Sequence, residues 1–405
     1  MTEIAQSAAT RKPVPRGLSR TGPVLFSYGF RPFFLGAGLW AMVAMILWIG
    51  ALTAGFDIWG DYGALHWHAH EMLFGFSSAV LAGFLLTAVP NWTGRLPVSG
   101  RPLVLLFGTW CAGRLALLLP DAIGAMPAAV ADSFFLPLLL FICAREIVAG
   151  RKWKDLKVLV VLAALSAGNI LYHVEVLAAG HPDVSVRLAI SAYVGMVMLI
   201  GGRIVPSFTR NWLSKAGKTQ FPAPYGMFDS FAIVLSVAAL VGWVAFPDHP
   251  NTALAAFVAV ALQAARLSRW KGLTTFPEKL LFILHVGYGF VPLGFAAIGL
   301  AALGQVDSTS ALHVLTVGTI AVMMLAVMTR ATRGHTGRVL TASRTTILSY
   351  SSLVLSALLR PLAGFLPDYA HDLYAASGTL WIVAFALFLI EYGPMLLTVQ
   401  RKLPA

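Results

Sequence analysis

The sequence predicts an all-α polytopic membrane protein with about twelve transmembrane helices and both termini in the cytoplasm. Three observations predict it. The 405 residues are 58% hydrophobic and only 11% charged, far outside the range of soluble globular domains. The apolar residues gather into windows of roughly 20, the length that crosses a hydrocarbon layer. The loops between the windows alternate between basic and acidic.

The windows fall at 33–54, 66–90, 102–119, 126–149, 156–178, 186–205, 228–246, 252–270, 279–303, 309–329, 344–366 and 372–397. Arg95 and Arg101, Arg145 to Lys157, Arg203 to Lys218, Arg266 to Lys279, Arg330 to Arg344, and Arg401 with Lys402 share one side with the basic stretch Arg11 to Arg31. Asp57, Asp61, Asp121, Asp183, Asp248, Asp307 and Asp368 lie on the other. Only Arg114, Arg187 and Arg360 of the 29 Lys and Arg depart from the basic side, which the positive-inside rule assigns to the cytoplasm. The chain thus divides into a basic cytoplasmic tail at 1–32, a membrane domain at 33–397 and a short cytoplasmic tail at 398–405. Residues 1–31 are polar and basic and do not read as a signal peptide. The net charge of +12 is spread over short loops, so it follows from topology and excludes a nucleic-acid partner. Cys111 and Cys143 sit inside apolar windows without CxxC spacing, which leaves no disulfide framework or covalent haem motif.

Span one enters behind Arg31 and Pro32. Span two opens on His66, Trp67, His68, Ala69, His70 and Glu71 and closes on Pro90, Asn91, Trp92 and Arg95. His66 and His70 share a helical face, while His68 lies about 200° further round. The cluster can therefore serve one metal through a distorted turn, two partners on different faces, or an interfacial anchor. Span three carries Arg114 about 20 Å in from its basic end, span four Asp132, and span five Asn169, His173 and Glu175. Span six starts beside Arg187 and ends in an expected Gly- and Pro-bearing cytoplasmic loop, Gly201 to Asn211. Spans seven and eight carry almost no intramembrane polar residue and read as scaffold. His285 lies toward the basic end of span nine, His313 near the acidic end of span ten, Arg360 near the acidic end of span eleven, and Glu391 near the basic end of span twelve.

Taken together, His66, His68, His70, Glu71, Arg114, Asp132, His173, Glu175, His313 and Arg360 occupy the acidic-side half of six or seven helices. A single polar site there explains all of them; snorkelling of boundary residues accounts for Arg187, His371 and Asp372 but not for His285. Histidines on separate helices of a bundle are the donor set that haem or copper requires, and Arg114 and Arg360 are placed to meet haem propionates. Proton coupling in a metal or anion transporter uses the same residue types. No repeat relates the two halves, which disfavours the common transporter folds.

The blocks WHAHEMLFGF (Trp67 to Phe76), AGFLLTAVPNWTG (Ala82 to Gly94), GGRIVPSFTRN (Gly201 to Asn211), LHVGYGFVPLG (Leu284 to Gly294), LHVLTVG (Leu312 to Gly318) and MTRATRGHTGR (Met328 to Arg338) resemble the NnrS family of bacterial membrane proteins. The resemblance implies an inner-membrane protein that contains haem and copper and is linked to nitric oxide metabolism. Matching family positions are His68, His70, Glu71, His173, His285, His313 and His335. The resulting expectation is a b-type haem and a copper held on the periplasmic side by His68, His70, His173, His285 and His313, with His285 as one axial haem ligand. Nitric oxide would be reduced there to N₂O, with Glu71 or Glu175 delivering protons and a quinol or soluble carrier delivering electrons. A non-catalytic nitric oxide binder or sensor, and a transporter, are the alternatives.

Overall fold

The computed structural model describes residues 22–56 and 60–399. Most of the expected basic tail, all but two residues of the expected C-terminal tail, and Asp57 lie outside them. All twelve expected spans coincide with helices: α1 Phe30–Ala54, α2 Ala64–Thr93, α3 Arg101–Leu118, α4 Ala125–Ala149, α5 Trp153–Ala179, α6 Asp183–Lys215, α7 Met227–Ala245, α8 Pro250–Ser268, α9 Lys279–Ala302, α10 Ser308–His335, α11 Arg344–Leu362 and α12 Pro367–Leu397. Eleven are long and apolar enough to cross a membrane. The exception is α11, whose Thr345, Thr346, Ser349, Ser351, Ser352 and Ser356 lower its hydropathy. Those hydroxyls serve packing: Ser349 donates to the Ala384 carbonyl at 2.7 Å and Ser356 meets Ser377 at 2.9 Å, which seats α11 on α12.

The helix ends follow local chemistry. Asp307 caps α10 by accepting from the Ser310 amide at 2.7 Å, and Ser343 caps α11 by accepting from the Thr346 amide at 3.0 Å. Pro102 and Pro250 sit in the first turns of α3 and α8, where no amide is needed. Gly94 ends α2 with φ 73°, a left-handed cap that a side chain would strain.

Helix pairing repeats every four helices. In each unit (α1–α4, α5–α8, α9–α12) the first helix packs on the second and the third on the fourth. The fourth then packs on the first helix of the next unit, and α12 closes back onto α1. The third helix of each unit runs into a Pro-Asp pair: Pro120-Asp121, Pro247-Asp248 and Pro367-Asp368. The sequence expectation of no repeat between halves missed this because the repeat divides the chain by three. An even number of helices per unit makes the units parallel.

The second helices, α2, α6 and α10, touch one another at the centre. Burial agrees, since 83% of the most apolar stretch of α2 and 67% of that of α10 is enclosed, against 33% for α8 and α12. Each central helix contains a π-helical segment: Glu71–Phe76, Val197–Gly201 and Val314–Ala321. Such segments widen a helix by one residue and free carbonyls that need partners. In α2 the Leu73 carbonyl accepts the Tyr193 hydroxyl at 2.8 Å and the Gly75 carbonyl the Trp110 indole N–H at 3.0 Å.

Spans seven and eight are more than scaffold. Arg266 of α8 is fully buried, pairs with Asp229 of α7 at 3.0 Å, and donates to the Met198 carbonyl in the π-segment of α6 at 3.0 Å and to the Tyr288 hydroxyl at 2.7 Å. At the basic end, Arg31 of α1 donates to the carbonyls of Leu396 and Thr398 at 2.7 and 2.8 Å, tying the start of the bundle to its finish.

Candidate metal centre and histidine cavity

The opening turns of α2 present histidines on two faces, and each face meets a different environment. On one face His70 and Glu71 are fully buried against α3, α4 and α5. His70 Nε2 lies 3.2 Å from Asp132 Oδ2 and 2.9 Å from Asn169 Oδ1, while its Nδ1 faces Glu71 Oε1 at 3.1 Å. His173 of α5 sets its Nε2 3.0 Å from the same Asp132 oxygen, and its Nδ1 pairs with the Tyr62 hydroxyl. His70, Asp132 and His173 each offer a donor atom, all within 4.8 Å of one another. Both imidazoles thus aim one nitrogen at a common point and have the other fixed by a neighbour, the arrangement in which second-sphere groups set the tautomer of metal-binding histidines.

The charges point the same way. Arg114 of α3 pairs with Asp132 and, at 3.1 Å, with Glu71 Oε2, which also accepts from the Trp40 indole N–H at 2.6 Å. Two buried carboxylates against one guanidinium leave a single negative charge, which a cation at the shared point, a metal or an imidazolium, would balance. Tyr62, in the short Gly60–Tyr62 turn before α2, is 1% exposed. Burial, reinforced by the nearby Tyr172, Asp132 and Glu71, raises its phenol far above the ordinary value, so it stays a neutral hydroxyl.

On the opposite face of α2, His68 stacks on Trp48 with centroids 4.5 Å apart and looks into a cavity of about 550 Å³. His313 of α10 lines it as well. The His313 Nδ1 donates to the Thr309 carbonyl at 2.6 Å, which leaves its Nε2 as the electron-pair donor. Arg187 and Arg360 also line the cavity, and Arg187 Nε, Arg360 Nη1 and His68 Nδ1 are buried without a hydrogen-bond partner. His66, His181 and Asp183 line it as well, beside hydroxyls that include those of Ser308, Thr309, Thr316 and Tyr374.

The single site expected from the sequence is therefore two, with His70 and His173 in one and His68 and His313 in the other. His285 joins neither. It bonds Thr209 at 2.9 Å beside Trp270 near the basic end. It does not line the cavity, and its partner Thr209 lies 22 residues, roughly 30 Å along α6, from the cavity-lining Arg187. The physical reason is direction, because α9 enters from the basic end and His285 comes only two turns after its start. Arg114 is engaged by carboxylates and does not line the cavity, whereas Arg360 does. Glu175 receives the Ser185 amide and hydroxyl at the α5–α6 turn, at 3.1 and 2.5 Å. His335 packs against the Tyr28 and Phe30 rings.

Sequence reasoning counted Asp132 in the polar site without a ligand role, named Asn169 only as part of span five, and assigned Arg187 to snorkelling. Tyr62 carries no sequence signal. No curated protein matches the chain. A family model described as NnrS protein matches residues 24–400, nearly the whole length, and the chain belongs to the NnrS family.

Proposed function

We propose that this chain is a haem- and copper-binding protein of the bacterial inner membrane that takes up nitric oxide in the histidine cavity, with its acidic end in the periplasm. Family membership and the membrane-helical fold support a nitric-oxide-related membrane protein. The observation that carries the finer reading is the pair of donor sets on opposite faces of α2. His70, Asp132 and His173 would hold the metal; two imidazoles and a carboxylate suit copper or iron rather than the hard cations. His68 and His313 would hold the haem, and the unpartnered nitrogens of Arg187 and Arg360 fit its propionates. Bound there, haem b supplies a reducible iron with affinity for nitric oxide.

The protein's own groups do the rest. Glu71 and Tyr62 hold the His70 and His173 rings in orientation, and Trp48 holds His68. The cavity's apolar lining, including Leu73, Phe76 and Ile320, limits water beside the bound gas. Reduction of two nitric oxide molecules to N₂O and water consumes two electrons and two protons. Neither Glu71 nor Glu175 lines the cavity, so His66, His181 and Asp183 are the titratable groups placed to pass those protons. A quinol or soluble carrier would supply the electrons. Because His68 and His70 face opposite sides of one helix, this reading has nitric oxide bound on the cavity side alone, with copper as a separate electron site. Parallel repeats also occur among transporters, which keeps transport as the rival.

Optical spectra and metal analysis of purified, metal-replete protein decide. A Soret band that shifts with nitric oxide is the expected result, and its absence, with or without bound metal, overturns the reading in favour of transport. N₂O formation with an artificial donor then separates an enzyme from a non-catalytic binder.

A further inference from the structure

Beyond the histidine cavity the three central helices line a second, partly open space of about 70 Å³, bordered by the half-buried Phe84, Val197, Ile204, Met324 and Val327. The cavity lining ends at Ser77 on α2, Ile190 on α6 and Ile320 on α10; the chamber lining begins at Val80, Tyr193 and Met323. On each of three parallel helices the step is three residues, about 4.5 Å. The chamber therefore sits where the three units meet, directly on the basic side of the cavity.

Its side chains offer nothing polar. The one hydroxyl among them, that of Tyr193, is donated to the Leu73 carbonyl at 2.8 Å. A buried water needs two to four polar partners, whereas apolar cavities stay dry and take up apolar atoms and molecules. Met196, Met323 and Met324 contribute polarizable sulfur to the wall. Gly201, at the end of the π-segment of α6, borders the space: a Cβ there would stand 3.6 Å from Val197 and from Tyr288 and 3.8 Å from Met323.

We propose that this chamber binds one small, uncharged, apolar gas molecule and passes it to the histidine cavity. Its volume suits a single small molecule, and its apolar lining disfavours ions. The delivery role rests on the functional reading above; the binding role does not.

Crystals held under xenon pressure provide the test. An anomalous peak between Val197 and Met323 is expected in the wild-type protein, weaker in Gly201→Ala, whose added methyl makes only ordinary contacts, and absent in Val197→Phe. A wild-type map with no peak there, or with ordered water, overturns gas binding whatever cofactors the protein carries. For delivery, carbon monoxide rebinding after photolysis should slow several-fold in Val197→Phe with an unchanged Soret band. Equal rates in the two proteins overturn the delivery role, whereas a protein with no Soret band defeats the haem reading and leaves the xenon result standing.

Discussion

At the residue scale, the buried triad makes the sharpest predictions. Replacing His173 with Ala should abolish stoichiometric copper, read by elemental analysis, while Tyr62→Phe should weaken copper roughly 10–100-fold, the usual cost of losing a group that orients a ligand. His68→Ala and His313→Ala should remove the Soret band and spare the copper; loss of both cofactors together would mean that one centre, not two, occupies this end. Gly75 lies against the same network, where a Cβ would collide with Glu71 Oε2, Arg114 Nη1 and Trp40 Nε1. Gly75→Ala should therefore lower thermal stability by about 1–3 kcal/mol, the range for an overpacked core. Much of this was legible in the chain itself, since His70, His173 and Asp132 are costly in hydrocarbon and share one depth. What depth cannot reveal is azimuth. The roughly 200° between His68 and His70 already allowed two partners, but only the neighbours of each face show that both faces are occupied.

At the scale of the element, the interrupted helices matter most. A π-segment turns everything beyond it by about one residue, so the three on α2, α6 and α10 let the acidic-side halves aim side chains independently of the basic-side halves. Arg266 holds one such segment through the Met198 carbonyl. Arg266→Leu should cost about 3 kcal/mol in an unfolding titration, the low end for breaking a buried pair, because Arg269 still reaches Asp229 at 3.3 Å. A near-zero effect would show that the network does not support the helix break. Helix positions were readable because apolar length is a one-dimensional property. The π-segments were not, since Leu73 to Phe76 or Leu315 to Ile320 would pass equally well for unbroken α-helix.

For the whole molecule, the prediction concerns orientation. A cysteine placed at Lys218 should resist a membrane-impermeant maleimide in intact spheroplasts, and one at Asp248 should react; the reverse pattern would put the histidine cavity in the cytoplasm. The fourfold spacing of helix pairing also leaves a trace in the chain, as the Pro-Asp pair after the third helix of each unit, but a further pair, Pro182-Asp183 after α5, and the divergence of the helices hide it from a comparison of halves. The junction of α12 with α1 resembles those of α4 with α5 and α8 with α9, except that Arg31 bonds replace a covalent loop. The bundle thus has no privileged seam. A circular permutant opened in the basic loop before α5 and joined through its present ends should insert and assemble, so the order in which helices leave the ribosome need not begin with α1.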